Sequence, residues 1–279
     1  MAETISPYAL TTLDRVKDRL QIAAATTTHD EELTRMINSI TDWFERETGN
    51  RRFVLTKYAN EIYSAYGPRQ KRVVTRQAPI YQLNVTGNMT SGSASITGVS
   101  DTTGMVVGMP ILADNFPSST VISSISGATV VMSKSATATE NTAYFLVSGL
   151  TDFQWRAGTP SNPSWQDFLI DQYEVVNDGK AGVIRIYGVI PRLYNNMIRM
   201  TYYAGYAVNW ANFGDNITHK LPSDITDTAE NLVIRRFKRR TIPGKSSESL
   251  EGSTVSWNKE IDSEDQAVID HYRRMPTIF

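Results

Sequence analysis

Between residues 85 and 150 the chain carries four charged side chains, Asp101, Asp114, Lys134 and Glu140, in sixty-six residues. Ser, Thr, Gly, Ala and Val dominate this stretch, and it limits the fold more than any other. Its short apolar segments, SASIT, MPILA, TVISSI, ATVVMS and TAYFLV, are separated by Gly, Pro, Asn and Asp. Several short strands with frequent turns predict a small sandwich or barrel-like β module. Charge this sparse also suits a disordered linker, but the apolar residues argue against one. The flanking sequence has a different texture, so 85–150 reads as an inserted β domain, with the host fold resuming after it.

The host is mixed. Residues 28–49 place Leu33, Met36, Ile37, Ile40, Trp43 and Phe44 at three- and four-residue steps, one stripe of an α-helix. Thr28 and Glu31 have capping-box spacing, Glu31 and Glu32 suit the helix dipole, and Gly49 is placed for a left-handed C-cap. A shorter helix before it, capped by Thr11 or Thr12, carries Leu13, Val16 and Leu20. The short polar link between the two predicts an antiparallel pair. Residues 51–67 read as a strand, and 71–87 as a second, broken near Pro79, which belongs at an edge or a strand start. Residues 151–173 read as loop. Asn177-Asp178-Gly179 marks a hairpin between 173–176 and 181–187, and 197–204 alternates as another strand. Leu221-Pro222-Ser223 starts a helix, with Ser223 as its cap and Ile225, Ala229, Leu232, Val233 and Phe237 as its stripe, stopped by Pro243-Gly244. A polar linker leads to a last helix near 264–275. The fold class is α+β: a small helical bundle with antiparallel β-strands and an inserted all-β module. The expected domains are a body of 1–84 and 151–245, the insert 85–150, and a C-terminal linker and tail, 246–279.

The chemistry of the chain points away from catalysis. With no cysteine there are no disulfides or thiolate sites, which fits a reducing cytoplasm. His29, His219 and His271 are far apart and read as surface residues; no HExxH pattern exists. Gly244-Lys245-Ser246 lacks the upstream glycine of a phosphate-binding loop, since Arg239 stands there. No Gly-x-Ser-x-Gly elbow is present. The expectation is no enzyme, no cofactor and no metal. The start, MAETISPYAL, does not read as a signal peptide, and no apolar run approaches the roughly 20 residues that span a bilayer. A net charge of −1 gives no global preference for nucleic acid or anionic membranes.

Two groups remain. Arg235, Arg236, Lys238, Arg239 and Arg240 are either a contact to DNA phosphates or an acidic partner, or a solvated helix end that offsets the dipole, the plainer reading for most of them. Tyr202, Tyr203, Tyr206, Trp210 and Phe213 read as core and loop anchors rather than an exposed surface. A short amphipathic segment on a polar tether, ending in Ile278-Phe279, suits docking into a partner's groove as well as it suits a frayed end.

The order of these pieces resembles the head–tail connector, or neck adaptor, family of tailed bacteriophages. The matching pieces are LTTLDRVKDRLQI followed by DEELTRMINSITDWFERETGNRRF, then NEIYSAYG and RQAPIYQL, then DGKAGVIRIYG and IRMTYYAGYA, and last LPSDITDTAENLVIRRFKRR. They cover about 8–85 and 173–275; the insert departs from the compact family pattern. The resemblance implies a structural virion protein, made in the host bacterial cytoplasm and placed at the neck. There it would form a homo-oligomeric, twelvefold ring on the portal protein, extend the DNA channel without sequence-specific binding, and support the downstream neck or tail protein. No membrane is implied. It makes Glu32, Arg35, Asn38, Asp42 and Arg46 the candidates for the ring interface and the 235–240 basic residues candidates for channel or partner contact. Trp257, Tyr272, Met275, Ile278 and Phe279 are the candidates for portal docking. An alternative is a carbohydrate- or surface-binding phage structural module that reads its target with the insert.

Overall fold

The computed structural model describes residues 3–64, 71–159, 162–187, 197–208, 221–240, 247–250, 253–256 and 261–273. The fold is α+β, and the chain forms two compact units: Met1–Val54 with Leu221–Phe279, and Leu55–Lys220.

The first unit gathers helices from both ends of the chain: α1 (Leu13–Arg19), α2 (Asp30–Glu47), α3 (Ser223–Arg239) and α4 (Ser263–Tyr272). Thr12 caps α1, its hydroxyl accepting from the Arg15 N–H at 3.3 Å. On α2, Leu33, Ile37, Ile40 and Phe44 are buried, while Met36 and Trp43 are half-buried. The expected capping box at Thr28 does not form. His29 is the N-cap, without a side-chain bond. Glu31 pairs forward with Arg35 at 3.7 Å, and Lys17 reaches from α1 to the Asp30 carboxylate at 2.8 Å. A tertiary ion pair thus takes the place of the local cap. At the other end Gly49 adopts φ +87° beyond Thr48, the left-handed C-terminal position its sequence predicts. Helix α3 starts at Ser223 with Pro222, not Ser223, as its N-cap.

The described residues of the second unit form thirteen strands, β1 (Thr56–Ser64), β2 (Arg72–Val74), β3 (Gln82–Met89), β4 (Ser95–Ile96), β5 (Ile111–Leu112), β6 (Ile122–Ser126), β7 (Thr129–Met132), β8 (Glu140–Ser148), β9 (Leu150–Thr159), β10 (Asn162–Asp167), β11 (Tyr173–Val175), β12 (Val183–Ile186) and β13 (Met197–Ala204). Every ladder is antiparallel, in sheets ordered β1-β13-β9-β10, β11-β12-β2, β3-β8-β5 and β4-β7-β6. Each of the five short apolar segments of the low-charge stretch supplies one of β4 to β8. The Asn177-Asp178-Gly179 hairpin also forms, with all three residues at positive φ. A further hairpin, β14 (Ser247–Leu250) with β15 (Ser253–Ser256), belongs to the first unit.

The loop expected over 151–173 is instead largely the hairpin β9–β10. Phe153 and Ala157 are buried at a period of two, with Trp155 packed half-buried between them. That alternation is the strand signal. Gly158 and Pro163, which suggested a loop, pair with each other toward the tip of the hairpin, and β10 is an edge strand, where proline is tolerated.

This unit has two apolar cores. Leu83, Val85, Met89, Ile96, Met109, Phe145 and Val147 belong to one; Ile80, Phe153, Ile184, Ile198, Met200 and Tyr202 belong to the other. Between them, three backbones close a ring of hydrogen bonds. Tyr81 N–H donates to Tyr203 O (2.9 Å), Tyr203 N–H to Gly149 O (2.8 Å), and Gly149 N–H to Tyr81 O (2.7 Å). A Cβ on Gly149 would lie 2.9 Å from both the Tyr81 and Tyr203 carbonyl oxygens, so the close approach requires glycine. Directly after Tyr81 and before Gly149, Gln82 pairs with Ser148, so the chain enters and leaves β3–β8 at one point.

Candidate assembly interface

On α2, the faces divide by burial. Arg35, Asp42 and Arg46 are exposed, and Glu32 and Asn38 are half-buried. Asn38 is engaged within the chain: its Oδ1 accepts from Ser6 N–H at 2.9 Å and its Nδ2 donates to Thr4 O at 3.0 Å. Glu32 lies 3.6 Å from the Arg240 guanidinium, and Arg35 lies 3.4 Å from Glu3. Asp42 and Arg46 have no ion-pair partner among the described residues. They stand one turn apart and present opposite charges on one exposed strip.

The basic run on α3 is partly internal. Arg235 forms ion pairs with Asp262 and, at 2.7 Å, with Asp265 at the start of α4. Arg236 donates to Ser39 Oγ at 2.9 Å. Arg240 stacks 3.4 Å over the Phe237 ring and donates to the Phe237 carbonyl at 2.7 Å. Lys238 is exposed and Arg239 half-buried, neither with a partner among the described residues. They are the cations of this run that remain for an external anion.

Of the docking candidates, Tyr272 is described, and its own unit holds it. Its hydroxyl donates to Asp224 at 3.0 Å, its ring meets Phe53 edge-on at 5.8 Å, and the Arg51 guanidinium lies 5.7 Å from it. Arg273 next to it donates to the Glu47 carbonyl at 3.0 Å. Helix α4 is therefore fastened to α2 and α3. Trp257, Met275, Ile278 and Phe279 lie outside the described residues, as do Trp210 and Phe213. Tyr202 is fully buried and Tyr203 and Tyr206 half-buried, as core and anchoring residues should be.

Two polar clusters escaped the sequence reading. Glu230 is 1% exposed and accepts from Thr11 Oγ1 (2.9 Å), Arg15 Nε (2.6 Å) and Arg19 Nη1 (3.0 Å). A buried carboxylate with three donors ties α1 to α3. In the β unit, the Tyr63 and Tyr202 hydroxyls both donate to the Glu61 carboxylate, Tyr202 at 2.8 Å, and stand 3.1 Å from each other. The Arg76 N–H donates to the Tyr63 oxygen at 2.9 Å. Burial, reinforced by the adjacent carboxylate, pushes both phenols well above the ordinary tyrosine range. Burial likewise raises Glu45, against the opposing pull of Arg52 3.5 Å away. The alternation of Glu61, Tyr63 and Tyr202 along strands was visible; that they meet on one oxygen was not.

Among the described residues no three His, Cys, Asp or Glu side chains converge on a metal-sized site. None of the described helices is long and apolar enough to cross a membrane.

No protein-family profile matches the chain, and no curated protein matches it. Among solved structures the chain is similar to one described as the neck of an empty GTA particle computed with C6 symmetry. The likeness has a TM-score of 0.39 at 10% identity, over 100% of this chain and 96% of that chain. A likeness of that size fixes no function.

Proposed function

We propose that this protein is a structural head–tail connector: a ring-forming adaptor that docks on a portal, extends the DNA channel and carries the next neck or tail component. The observation that supports the reading best is the division of α2. Leu33, Ile37, Ile40 and Phe44 of its apolar stripe are buried inside the helical unit, and the strip bearing Asp42 and Arg46 is left outward with charges of both signs. A ring needs two different, complementary faces on each subunit, and a mixed-charge strip on a rigid helix suits one of them.

In this reading Arg35, Asp42 and Arg46 meet the neighbouring copy, with Glu32 and Asn38 setting the edge of that face through their bonds to Arg240 and to the N-terminal segment. Lys238 and Arg239 face the channel or a partner; Arg235, Arg236 and Arg240 act by holding the bundle together. Two cations left without a partner on the 235–240 run, among the described residues, suit a pore that passes DNA without gripping it, because each phosphate contact adds salt-sensitive affinity. Tyr272 and Arg273 anchor α4, which makes the segment after Arg273, with Met275, Ile278 and Phe279, the portal-docking element.

The test is the mass of complexes formed when the purified chain is mixed with portal rings, measured by light scattering. The connector reading expects a multi-subunit complex, lost when the chain ends at Arg273 while thermal stability is kept. A chain that stays monomeric and never binds portal overturns it, and undiminished binding by the shortened chain overturns the docking assignment.

A further inference from the structure

The outward face of the β3-β8-β5 sheet carries a small site of its own. Strand alternation sends Val85, Ala143, Phe145, Val147 and Ile111 into the core. The other face sets Asn84, Leu146 and Leu112 in one row across three strands, with Thr86 opposite Tyr144 in the next. Tyr144 is 80% exposed and Leu112 41% exposed. Tyr144 stands outward between Ala143 and Phe145, which are both buried. It is not there for the core, and no hydrogen bond holds its hydroxyl within the described residues.

The chemistry of this face narrows its occupant. Its five residues are two amide- or hydroxyl-bearing side chains, two leucines and a phenol; none is charged. Nucleic acid or an anionic membrane would require cations here. The insert's one cation, Lys134, is spent on the Ser118 carbonyl at 2.6 Å. A protein partner would require a wider apolar centre than two leucines, one of them half-buried, and a ring. A neutral sugar requires less. Its C–H face packs on one exposed aromatic ring, and its hydroxyls exchange hydrogen bonds with a neutral amide and hydroxyls at the rim. The lack of charge on this face matches the lack of charge on such a ligand.

We infer that the β3-β8-β5 face binds an uncharged polysaccharide, with the Tyr144 ring as stacking platform and Asn84 and Thr86 as hydrogen-bonding rim. A platform of this size gives weak binding per site, and a ring of subunits would multiply it by avidity. The inference does not depend on the connector reading, since a monomer would carry the same face.

Affinity electrophoresis of the full chain through gels containing dextran, laminarin, galactomannan or, as a charged control, heparin tests it. The expected result is retardation by at least one neutral polymer and none by heparin. Tyr144→Ala should weaken the effect by about tenfold, the upper range for an aromatic contact, and Tyr144→Trp should retain it. Asn84→Ala should weaken it less. Because Tyr144 is exposed, each variant should keep the parent's melting temperature, so loss of binding cannot be ascribed to unfolding. No retardation by any neutral polymer, retardation by heparin alone, or equal retardation of the Tyr144→Ala variant would overturn the inference.

Discussion

The helical unit and the β unit are held together by different means. In the helical unit charged links join neighbouring helices. Glu230 on α3 takes Arg15 and Arg19 from α1, Lys17 on α1 takes Asp30 on α2, and Arg235 on α3 takes Asp262 and Asp265 at the start of α4. Glu230, Lys17 and Asp265 are all almost fully buried. In the strands β3 to β8 most buried residues are apolar, and the Tyr81, Gly149 and Tyr203 backbones bond to one another where β3 begins and β8 ends. A buried ion pair adds little net stability against a well-packed apolar substitute, but a broken one is costly. The helical unit therefore accepts one arrangement of its helices, whereas the β module depends on alternation and turns that are local.

Substitutions can break this contrast, and the largest effect belongs to the backbone of the β unit. A Cβ at Gly179, already at φ +74°, would run into the Ile80 carbonyl. Gly179→Ala should cost about 4 kcal/mol in denaturant unfolding of that unit, the upper range for a single substitution; a cost below about 1 kcal/mol would mean the backbone at Ile80 yields easily. Next, Phe145→Ala should cost about 3–4 kcal/mol through a cavity, and Glu230→Ala about 3 kcal/mol through stranded arginines. If Glu230→Ala is as mild as a surface change, the ion pairs do not hold the helical unit.

The two units should also answer pH in different ranges. Tyr63 and Tyr202 are raised in the folded β unit, so the stability they lend is fully present below the unfolded tyrosine value of about 10 and is lost as pH climbs beyond it. Alkaline melting curves of the parent and of a Tyr63→Phe variant check this, the variant losing less stability above that value. Glu45 is also raised, so its contribution is fully present below the unfolded glutamate value of about 4.3 and fades as pH rises through its folded value. Glu45→Gln should accordingly stabilise the helical unit near neutrality, with the gain shrinking in acid. The smallest effect is expected from the Lys238→Ala, Arg239→Ala double variant, within about 0.5 kcal/mol of the parent, because neither cation is paired among the described residues.

Patterns repeated at short range were legible in the sequence. The α2 stripe, the Gly49 terminus, the five strands of the low-charge stretch and the Asn177-Asp178-Gly179 hairpin all follow from spacing and turn chemistry. The β9–β10 hairpin was hidden because Gly158 and Pro163 near its tip resemble loop punctuation more strongly than Phe153, Trp155 and Ala157 resemble a strand. What spans the chain was not legible. Arg15 meets Glu230 across 215 positions, and no local pattern marks either as a partner of the other. The same holds for the basic run: five cations look alike in sequence, but Asp262, Ser39 and Phe237 occupy three of them. For the candidate interface, the exposed strip of Asp42 and Arg46 could be read from helical period alone, whereas the engagement of Asn38 by the N-terminal segment could not.

In the proposed ring, the outward strip of α2 makes the contact between neighbouring copies. Charge reversal on that strip, Asp42→Arg or Arg46→Glu, followed by the mass of the complex with portal rings, tests it most directly. Each variant should melt within a few degrees of the parent, as an exposed substitution does, yet fail to reach the multi-subunit mass. Full-mass complexes from both variants would contradict it.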